Sequence, residues 1–274
     1  MLAQAVGAKF NETPLGANAI GLGQAGVLPK ARAADAMLAE PRRAYLLYGI
    51  EPELDFIDPP AALKALSGAD AVVAFTAFAD ATTRELAQVM LPIGAMPEID
   101  ASFTNVDGTV QVAKAAAKLP GDARPGWRVL RALGEKLELP GFDFIELAQW
   151  RERATSQSPQ SGSGLAERRA VGGDGLQCVA TRSIYRMDAV VRRAQPLQEH
   201  PLTRGARIVL NPADADARGL AQGQIAHVDD GRGKAAIPVE LSARVPVGCA
   251  WVEKGYGATA PIACTGLNLT VTGV

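Results

Sequence analysis

Three carboxylates follow the first strongly apolar run of the sequence. The run Ala44–Tyr48 stops at Gly49, and Glu51, Glu53 and Asp55 come next. Ligands of open α/β sheets bind at the carboxyl ends of strands, so a nucleotide phosphate would lie beside this loop. Carboxylates repel a phosphate, and each pair costs about 1 kcal/mol or more at 4 Å, depending on the local dielectric. We therefore predict a loop that disfavours anionic ligands, with Glu53 and Asp55 solvated.

Six arginines lie close together in the second half of the sequence. The 26 residues that hold them contain only two acids, Asp188 and Glu199. Because a guanidinium group grips phosphate or carboxylate through two hydrogen bonds, this arginine patch could dock an acidic partner or the acidic first half of the chain. A solvated arginine face is the default expectation. The six residues are Arg182, Arg186, Arg192, Arg193, Arg204 and Arg207.

A glycine-rich segment, residues 21–26, matches the G-x-G-x-x-G pattern of dinucleotide phosphate loops. That chemistry requires a strand before the glycines and a helix N-terminus after them. Residues 17–20 are weak strand material, and Pro29 follows soon afterwards. We therefore expect a structural turn here.

Glu98 and Asp100 could act as a general acid and base. They alternate on an extended segment beside an Asx-type turn, so local hydrogen bonding to the backbone is the expected role. We predict no catalytic residue in this chain.

Metal and thiol chemistry is limited by the supply of side chains. Cys178, Cys249 and Cys264 show no Cys-x-x-Cys spacing, and three thiols cannot build a four-thiolate cluster within one chain. They are expected to be free, buried or half-buried thiols. His200 and His227 lie far apart with no metal spacing, so both are expected to be structural, and no metal site is predicted.

Predicted strands and helices alternate along the first half of the chain, and they must position these residues. Asp58 is a suitable N-cap for a helix over 59–67, and Gly68 is a suitable stop. Further helices are predicted over 81–88, 127–137 and 142–153. Strands are predicted over 44–48, 71–76 and 89–91. This rhythm predicts a Rossmann-like α/β layer, with a parallel sheet covered on both faces.

The second half has many short strands separated by turn signals, which predicts a compact β-barrel. Two helices are predicted there, over 188–195 and 213–218. The predicted strands are 178–181, 207–210, 225–228, 235–241 and 250–252.

Composition divides the chain into an α/β domain (1–153), a flexible Ser/Gly-rich linker (154–175) and a barrel domain (176–274). The net charge is −1, from 28 basic and 29 acidic residues, which argues against a nucleic-acid-coating protein. Residues 1–150 carry 13 basic and 18 acidic side chains, and residues 151–274 carry 15 and 11. No run of 18 apolar residues exists, so no membrane insertion is predicted.

Short motifs spread along almost the whole chain resemble those of a single protein family. In the first half they are Asn18, Gly21, residues 85–92, Glu98, residues 103–105, Gly108 and Gln111. In the second half they are residues 181–182, 211–215, 219–220, 223–224 and 245–248. Together they resemble the molybdopterin oxidoreductase family. The resemblance implies that the second half is that family's dinucleotide-binding domain, a small double-psi-type β-barrel.

Two longer segments, residues 45–55 and 184–198, resemble the large iron–sulfur subunit family of NADH-quinone oxidoreductase, respiratory complex I. The resemblance implies a C-terminal part of that subunit, with the iron–sulfur clusters in an N-terminal region. It implies a scaffold with no cofactor of its own, which supports electron transfer from NADH to quinone. The implied partners are other subunits of the peripheral arm. The implied location is cytoplasmic, at the inner face of the bacterial plasma membrane.

Two departures from active relatives fit a scaffold. Those relatives often carry the motif Gly-x-Asn-Pro, whereas this chain has Glu51 in place of the asparagine. They also often carry Asn-x-Glu-Gly-Arg, whereas the corresponding segment of this chain, residues 105–109, has Thr109 in place of the arginine. The alternative is a C-terminal part of an active molybdopterin oxidoreductase such as a formate dehydrogenase. In that case Thr181, Arg182 and Asn211 would line the dinucleotide end of the cofactor. A free-standing nucleotide-binding module is a third possibility, which the acidic loop disfavours.

Overall fold

The computed structural model of the chain describes residues 2–9, 16–27, 33–155, 175–264 and 268–274. In chain order, its α-helices are α1 (Leu2–Ala5), α2 (Ala19–Gln24), α3 (Ala34–Ala39), α4 (Pro52–Asp55), α5 (Pro59–Ser67), α6 (Ala81–Leu86), α7 (Gly126–Lys136), α8 (Leu147–Thr155), α9 (Gln195–Gln198) and α10 (Pro212–Asp216). Its strands are β1 (Ala44–Tyr48), β2 (Ala71–Thr76), β3 (Val89–Pro92), β4 (Ala101–Thr104), β5 (Val110–Ala113), β6 (Leu176–Arg182), β7 (Ile208–Leu210), β8 (Ile225–Asp229), β9 (Lys234–Leu241), β10 (Cys249–Lys254) and β11 (Asn268–Gly273). None of the helices it describes combines the length and apolar character needed to cross a membrane.

The chain divides into two compact units. One contains Met1–Ala31 and Ile93–Leu165, and the other contains Arg32–Pro92 and Ala166–Val274. The second unit therefore combines the β1–β3 region with the barrel. The boundaries that composition suggests, 1–153 and 176–274, stay a prediction. Residues 156–174, most of the predicted linker 154–175, lie outside the described residues.

Strands β1, β2 and β3 form a parallel sheet in that order, which confirms the predicted parallel layer. Helices α3, α5 and α6 all contribute to one apolar cluster with Tyr45, Leu47 and Val72. Because these helices share one side, β1 alternates, and the side chains of Leu46 and Tyr48 are exposed. The expectation that both faces are covered is therefore wrong for β1 in the described part of the chain.

Local capping explains where the helices of this layer begin and end. The Asp58 carboxylate accepts a hydrogen bond from the Ala61 amide at 3.0 Å, and Gly68 follows the last turn of α5, as predicted. Helix α6 ends at Leu86, earlier than expected. The reason is that the Gln88 side chain accepts a hydrogen bond from the Val72 amide at 2.6 Å, which draws the chain to the sheet edge.

Six strands close into a barrel in the order β10-β6-β11-β8-β9-β7, which confirms the predicted barrel. Side chains of alternate residues fill its interior, as period-2 patterning requires. The core residues include Leu176, Ile208, Leu210, Val228, Ile237, Val239, Val252 and Leu269. The Rossmann-like and double-psi descriptions stay predictions.

The predicted helix over 188–195 is wrong. The chain instead makes a 3₁₀ turn at Val191–Arg193 and then the short helix α9. Two backbone amides, those of Val190 and Val191, donate to the Asp188 carboxylate at 2.8 and 3.0 Å. These are the contacts of a helix N-cap, so a single turn begins here. The turn ends at Ala194, whose ψ of 97° is extended, and α9 begins at Gln195.

In the first unit, the glycine-rich segment 21–26 is helical up to Gln24, so the expected structural turn is confirmed only at Ala25 and Gly26, where Gly26 has φ +73°. Helix α2 begins at Ala19 and contains Gly21. The Asn18 side-chain oxygen accepts a hydrogen bond from the Thr104 amide at 2.8 Å, and a Cβ on Gly21 would lie 2.3 Å from that oxygen. The glycine is therefore required by close packing of α2 against β4. A phosphate loop would need its glycines before the helix.

Helix α7 confirms the predicted helix over 127–137, whereas 142–153 is helical only from Leu147. The Trp127 and Phe144 rings stack with centroids 6.0 Å apart. Arg131 donates from Nε to the Phe144 carbonyl at 2.5 Å, which uses a backbone acceptor that a helix would need.

Candidate functional site

The candidate site is the loop at the carboxyl end of β1. Gly49, with φ +64°, turns the chain out of the strand, and its amide donates to the Phe75 carbonyl at 2.8 Å. Pro52 occupies the first position of the one-turn helix α4, where a missing N–H costs nothing. Glu51 and Asp55 are four residues apart, so this turn brings them to one side. The Asp55 carboxylate accepts a hydrogen bond from the Glu51 amide at 2.7 Å.

Arg192 bridges the two carboxylates. Its side chain is 3% exposed, and that of Glu51 is 5% exposed. Nε donates to Glu51 Oε2 at 2.9 Å, while the two terminal nitrogens donate to the two Asp55 oxygens at 2.9 and 3.2 Å. Nη1 also donates to the Arg186 carbonyl at 3.1 Å. The guanidinium group is thus held by two acids and one backbone carbonyl, in the geometry that makes arginine pairs strong.

Two further arginines complete what we call the strand-end cluster, consisting of Glu51, Asp55, Arg182, Arg192 and Arg193. Arg193 Nη1 lies 2.6 Å from Glu51 Oε1, and Arg182 Nη1 lies 3.8 Å from Asp55 Oδ1. Burial lowers the pKa of Arg182, and the nearby Asp55 charge opposes that effect. The cluster therefore holds two carboxylates against three guanidinium groups.

Desolvation sets the energetic character of this cluster. Removing an ion pair from water is expensive, so a buried pair is not by itself a strong source of stability. Removing one partner, however, leaves an uncompensated buried charge and typically costs about 3–5 kcal/mol. Arg192 is therefore a residue whose loss the folded state tolerates poorly.

The expectation that Asp55 is solvated is wrong, because it binds Arg192. Glu53 is half-buried. A shallow cleft of about 410 Å³ adjoins the cluster. Its lining residues are Glu51, Glu53, Leu54, Asp80, Ala81, Thr82, Arg186, Arg192 and Arg193.

The default expectation of a solvated arginine face is also wrong. Besides Arg192, Arg207 is buried, and its guanidinium group lies 2.9 Å from both Glu240 and Glu253. It also lies over the Trp251 ring at 5.3 Å from the centroid. Two of the six arginines are therefore buried, Arg182 and Arg186 are half-buried, and only Arg193 and Arg204 are exposed. Part of the arginine patch docks acids of the first half of the chain, which was one of the two alternatives that the sequence left open.

The partners in this cluster were not identified from the sequence. Arg192 and Glu51 are 141 residues apart, so no local pattern joins them. The only available signal was complementary charge: three acids after β1, and arginines that outnumber acids between residues 182 and 207.

The three residues of the cofactor-binding alternative lie on the barrel. Thr181 Oγ1 accepts a hydrogen bond from Trp251 Nε1 at 2.5 Å, and Arg182 Nη2 donates to the Asp55 carbonyl at 3.4 Å. Asn211 caps α10 by accepting a hydrogen bond from the Ala213 amide, and its side-chain nitrogen donates to the Val245 carbonyl in the loop between β9 and β10. Each of these side chains has a partner within the protein.

The strand register separates Arg182 from Asn211. Arg182 pairs with Lys254 at one end of β10, whereas Leu210, which precedes Asn211, pairs with Ala250 near the other end. Four residues of strand correspond to roughly 13 Å. Thr181 and Arg182 are thus adjacent, and Asn211 lies away from them along the barrel.

The predicted backbone role of Glu98 and Asp100 is consistent with the structure. Glu98 accepts a hydrogen bond from the Ala95 amide at 2.8 Å. Asp100 accepts from Lys114 and from the Ala115 amide, and the Lys114 hydrogen bond lowers the pKa of its carboxyl. Within the described residues, no group of three metal-binding side chains converges.

Comparison with known families gives two matches. Residues 3–136 match the family described as molybdopterin oxidoreductase, and residues 176–271 match the molydopterin dinucleotide binding domain. Together these matches cover most of the chain.

Curated relatives match shorter segments. A 75-residue segment is 37% identical to the NADH-ubiquinone oxidoreductase 78 kDa subunit of Neurospora crassa and covers 27% of this chain and 10% of the relative. A 64-residue segment is 46% identical to the 75 kDa subunit of Reclinomonas americana, covering 23% and 9%. A 115-residue segment is 35% identical to the F420-dependent formate dehydrogenase 2 subunit alpha of Methanococcus maripaludis, covering 42% and 17%. The aligned part is therefore a small fraction of each relative.

Among solved structures, the acetylene hydratase of Pelobacter acetylenicus is similar with a TM-score of 0.62 and 15% sequence identity. The match covers 88% of this chain and 46% of that protein. At this identity, the likeness concerns the fold alone.

Proposed function

Because this chain carries domains of the molybdopterin oxidoreductase family, we propose that it is a structural module of the large iron–sulfur subunit of a NADH-quinone oxidoreductase. In this role it supports electron transfer from NADH to quinone and carries no redox centre or catalytic residue itself. The iron–sulfur clusters would belong to another part of the same subunit.

The strand-end cluster is the observation that carries this proposal. In an open α/β sheet, the carboxyl end of β1 is the position that a nucleotide phosphate would use. Here the buried Glu51 carboxylate lies at that position, paired to Arg192 and Arg193. An anionic pterin nucleotide would have to approach Glu51 and compete for guanidinium groups that already bind carboxylates. These residues do not fit such a ligand.

The relatives add independent support. The NADH-ubiquinone oxidoreductase subunits of Neurospora crassa and Reclinomonas americana both align with this chain. That likeness supports membership of a multisubunit complex, and we extend the proposal to the peripheral arm. We place the complex at the cytoplasmic face of a bacterial plasma membrane, where this chain would contact other subunits and no nucleic acid.

The second candidate is a C-terminal part of an active molybdopterin oxidoreductase. The 115-residue alignment to the formate dehydrogenase alpha subunit favours it. Thr181 and Arg182 would then contact the dinucleotide end of a molybdopterin cofactor, with Asn211 further along the barrel. In this function, Arg182 would have to lose its ion pair with Asp55, and Thr181 would have to lose its hydrogen bond with Trp251.

The two candidates differ in what the purified protein contains. The natural polypeptide should be tagged in its own organism, purified with its partners and analysed for molybdenum, tungsten and oxidised pterin. The scaffold predicts NADH-oxidising activity that copurifies with a large complex, together with pterin far below one per chain. A formate dehydrogenase purified by the same procedure serves as the positive control.

One pterin with molybdenum or tungsten per chain would overturn the scaffold and favour the second candidate. Recovery of the polypeptide without any NADH-oxidising complex would overturn the assignment to a NADH-quinone oxidoreductase. The two results are separate, so each part of the proposal can fail alone.

A further inference from the structure

A groove on the outer wall of the barrel is formed by two adjoining cavities. One has a volume of about 520 Å³ and the other of about 330 Å³. Thr181, Arg204 and Trp251 line both, so the two cavities form one continuous groove. Volumes of this size are typical of binding sites. We call it the Trp251 groove and define it by Val179, Ile184, Leu202, Arg204, Arg244 and Trp251.

Strand alternation places this groove on the outside of the barrel. The two neighbours of Trp251 on β10 belong to the barrel core, so the indole ring faces outward. Val179 pairs with Trp251 in the parallel register of β6 and β10 and therefore lies beside it on the same face. Val179, Ile184 and Leu202 are 45%, 66% and 62% exposed. Large apolar side chains that line an exposed groove indicate an interaction site.

The indole ring at the centre of the groove is held in one orientation. Its Nε1 donates to Thr181 Oγ1 at 2.5 Å, and the Arg207 guanidinium group lies 5.3 Å from the ring centroid. Arg207 is itself fixed, since it lies 2.9 Å from both Glu240 and Glu253. A side chain that is already ordered loses little conformational entropy when a partner packs against it. Tryptophan is also enriched among the residues that dominate binding energy at interfaces.

The charge around the groove is positive. Four arginines and two glutamates line the two cavities, and Asp55 lies 3.8 Å from one of the arginines, so positive charges exceed negative charges by one. Arg204 binds Glu240 at 2.9 Å, but its side chain is 51% exposed and most of its five N–H donors stay available. Arg244 is exposed, and no ion pair is seen for it in the described part of the chain. The groove therefore offers cations to carboxylates of a partner.

Closure of the barrel determines how a partner can bind. Strands β6, β7 and β10 all lie within the closed barrel, so they offer no free edge to which a partner strand could be added. Recognition at this wall therefore depends on side chains that enter the groove. An apolar floor with cations beside it is complemented by apolar side chains with carboxylates next to them.

We propose that the Trp251 groove binds an acidic, apolar peptide segment of another protein. Aromatic or aliphatic side chains of that segment pack against Trp251 and Val179, and its carboxylates pair with Arg204 and Arg244. This inference goes beyond the proposed function, because it uses the barrel wall outside the strand-end cluster and requires no particular complex.

The test selects short random peptides, displayed on phage, for binding to the full chain. The double variant Arg244→Glu, Leu202→Asp serves for counter-selection, because both positions are exposed and surface substitutions there leave the fold intact. Peptides enriched on the unmodified chain should carry acidic residues beside aromatic or aliphatic ones. The affinity of one enriched peptide, labelled with fluorescein, is then measured by fluorescence anisotropy.

Matched single variants separate the groove from the rest of the barrel surface. Arg244→Glu should weaken peptide binding by about tenfold or more, because it places a like charge beside the carboxylates of the peptide. Lys234→Glu changes the net charge by the same amount at an exposed position of β9 outside the groove, and should leave the affinity nearly unchanged. Leu202→Asp should also weaken binding, whereas Val247→Asp, at a position that is 67% exposed and outside the groove, should not.

If no peptide is enriched over the counter-selection, or if the enriched peptides are basic, the proposal is wrong. Displacement of the peptide by inorganic phosphate or by guanosine monophosphate at an equal concentration would also overturn it, in favour of a general anion site. The selection uses the unmodified chain, so its outcome does not depend on whether a variant folds. Circular dichroism of each variant confirms that a loss of affinity comes from the groove.

Discussion

At the scale of single residues, Arg192 determines what the end of β1 can do. Its guanidinium group satisfies Glu51 and Asp55 at once, and its side chain is 3% exposed. Because an arginine fork matches carboxylates geometrically, the same contacts that neutralise the acids also fix the position of the 191–193 turn against the β1 loop. The carboxyl end of β1 is thus occupied by an internal connection to the 191–193 turn.

Replacing Arg192 by methionine should lower the free energy of unfolding by about 3–5 kcal/mol, because the buried Glu51 and the half-buried Asp55 carboxylates lose their shared cation. The measurement is equilibrium urea unfolding followed by circular dichroism. Arg43→Met is the matched control: Arg43 pairs with Asp70 at 2.7 Å, but both side chains are mostly exposed. A change within about 0.5 kcal/mol is expected there.

The triple variant Arg192→Met, Glu51→Gln, Asp55→Asn tests whether unpaired carboxylate charge causes the loss of stability in Arg192→Met. Removing the carboxylate charges together with the cation should recover part of the loss, because the penalty comes from unpaired buried charge rather than from the pair itself. If Arg192→Met were no more costly than Arg43→Met, the cluster would be a surface-like interaction and would lose its role in the argument for a scaffold.

At the scale of elements, what the sequence could predict depended on how local the determining contacts are. Helix α5 was predicted with its cap and stop because Asp58, Pro59 and Gly68 act on neighbouring residues. Most barrel strands followed from apolar alternation between turn residues. The 188–195 segment does not form one helix because the backbone is extended at Ala194, which separates the 3₁₀ turn from α9. For the strand-end cluster, complementary charge indicated only that the arginines could dock the first half of the chain. The individual ion pairs could not be predicted, since they join segments far apart in sequence.

The cap of α5 should carry a measurable share of stability. Asp58→Ala removes the hydrogen bond to the Ala61 amide, which is worth about 1 kcal/mol, and also the ion pair with Arg232. Urea unfolding of Arg232→Ala isolates the second contribution, which should be below about 1 kcal/mol because Arg232 is half-exposed. An Asp58→Ala loss no larger than that of Arg232→Ala would mean that the cap contributes nothing.

At the scale of the whole molecule, the second unit is assembled from two distant parts of the chain, Arg32–Pro92 and Ala166–Val274. The sequence suggests instead that residues 1–153 form one domain. The two descriptions make different predictions for fragments. In a fragment 1–153, Glu51 and Asp55 keep their places in the loop but lose Arg192, whereas the barrel in 175–274 retains all six of its strands.

We therefore expect the fragment 1–153 alone to lack cooperative unfolding and to bind a dye that reports exposed apolar surface, because its buried carboxylates have no cation and its sheet has lost the contacts that the 182–193 segment supplies. The fragment 175–274 should unfold cooperatively on its own, since its strands close a barrel around one apolar core.

Mixing the two fragments should restore cooperative unfolding of 1–153. The Arg192→Met version of 175–274 should restore it less well than the Arg244→Met version, which alters an exposed arginine of the same fragment. Independent, cooperative folding of 1–153 would support the division that composition suggests and would reduce the strand-end cluster to a contact between two self-sufficient domains.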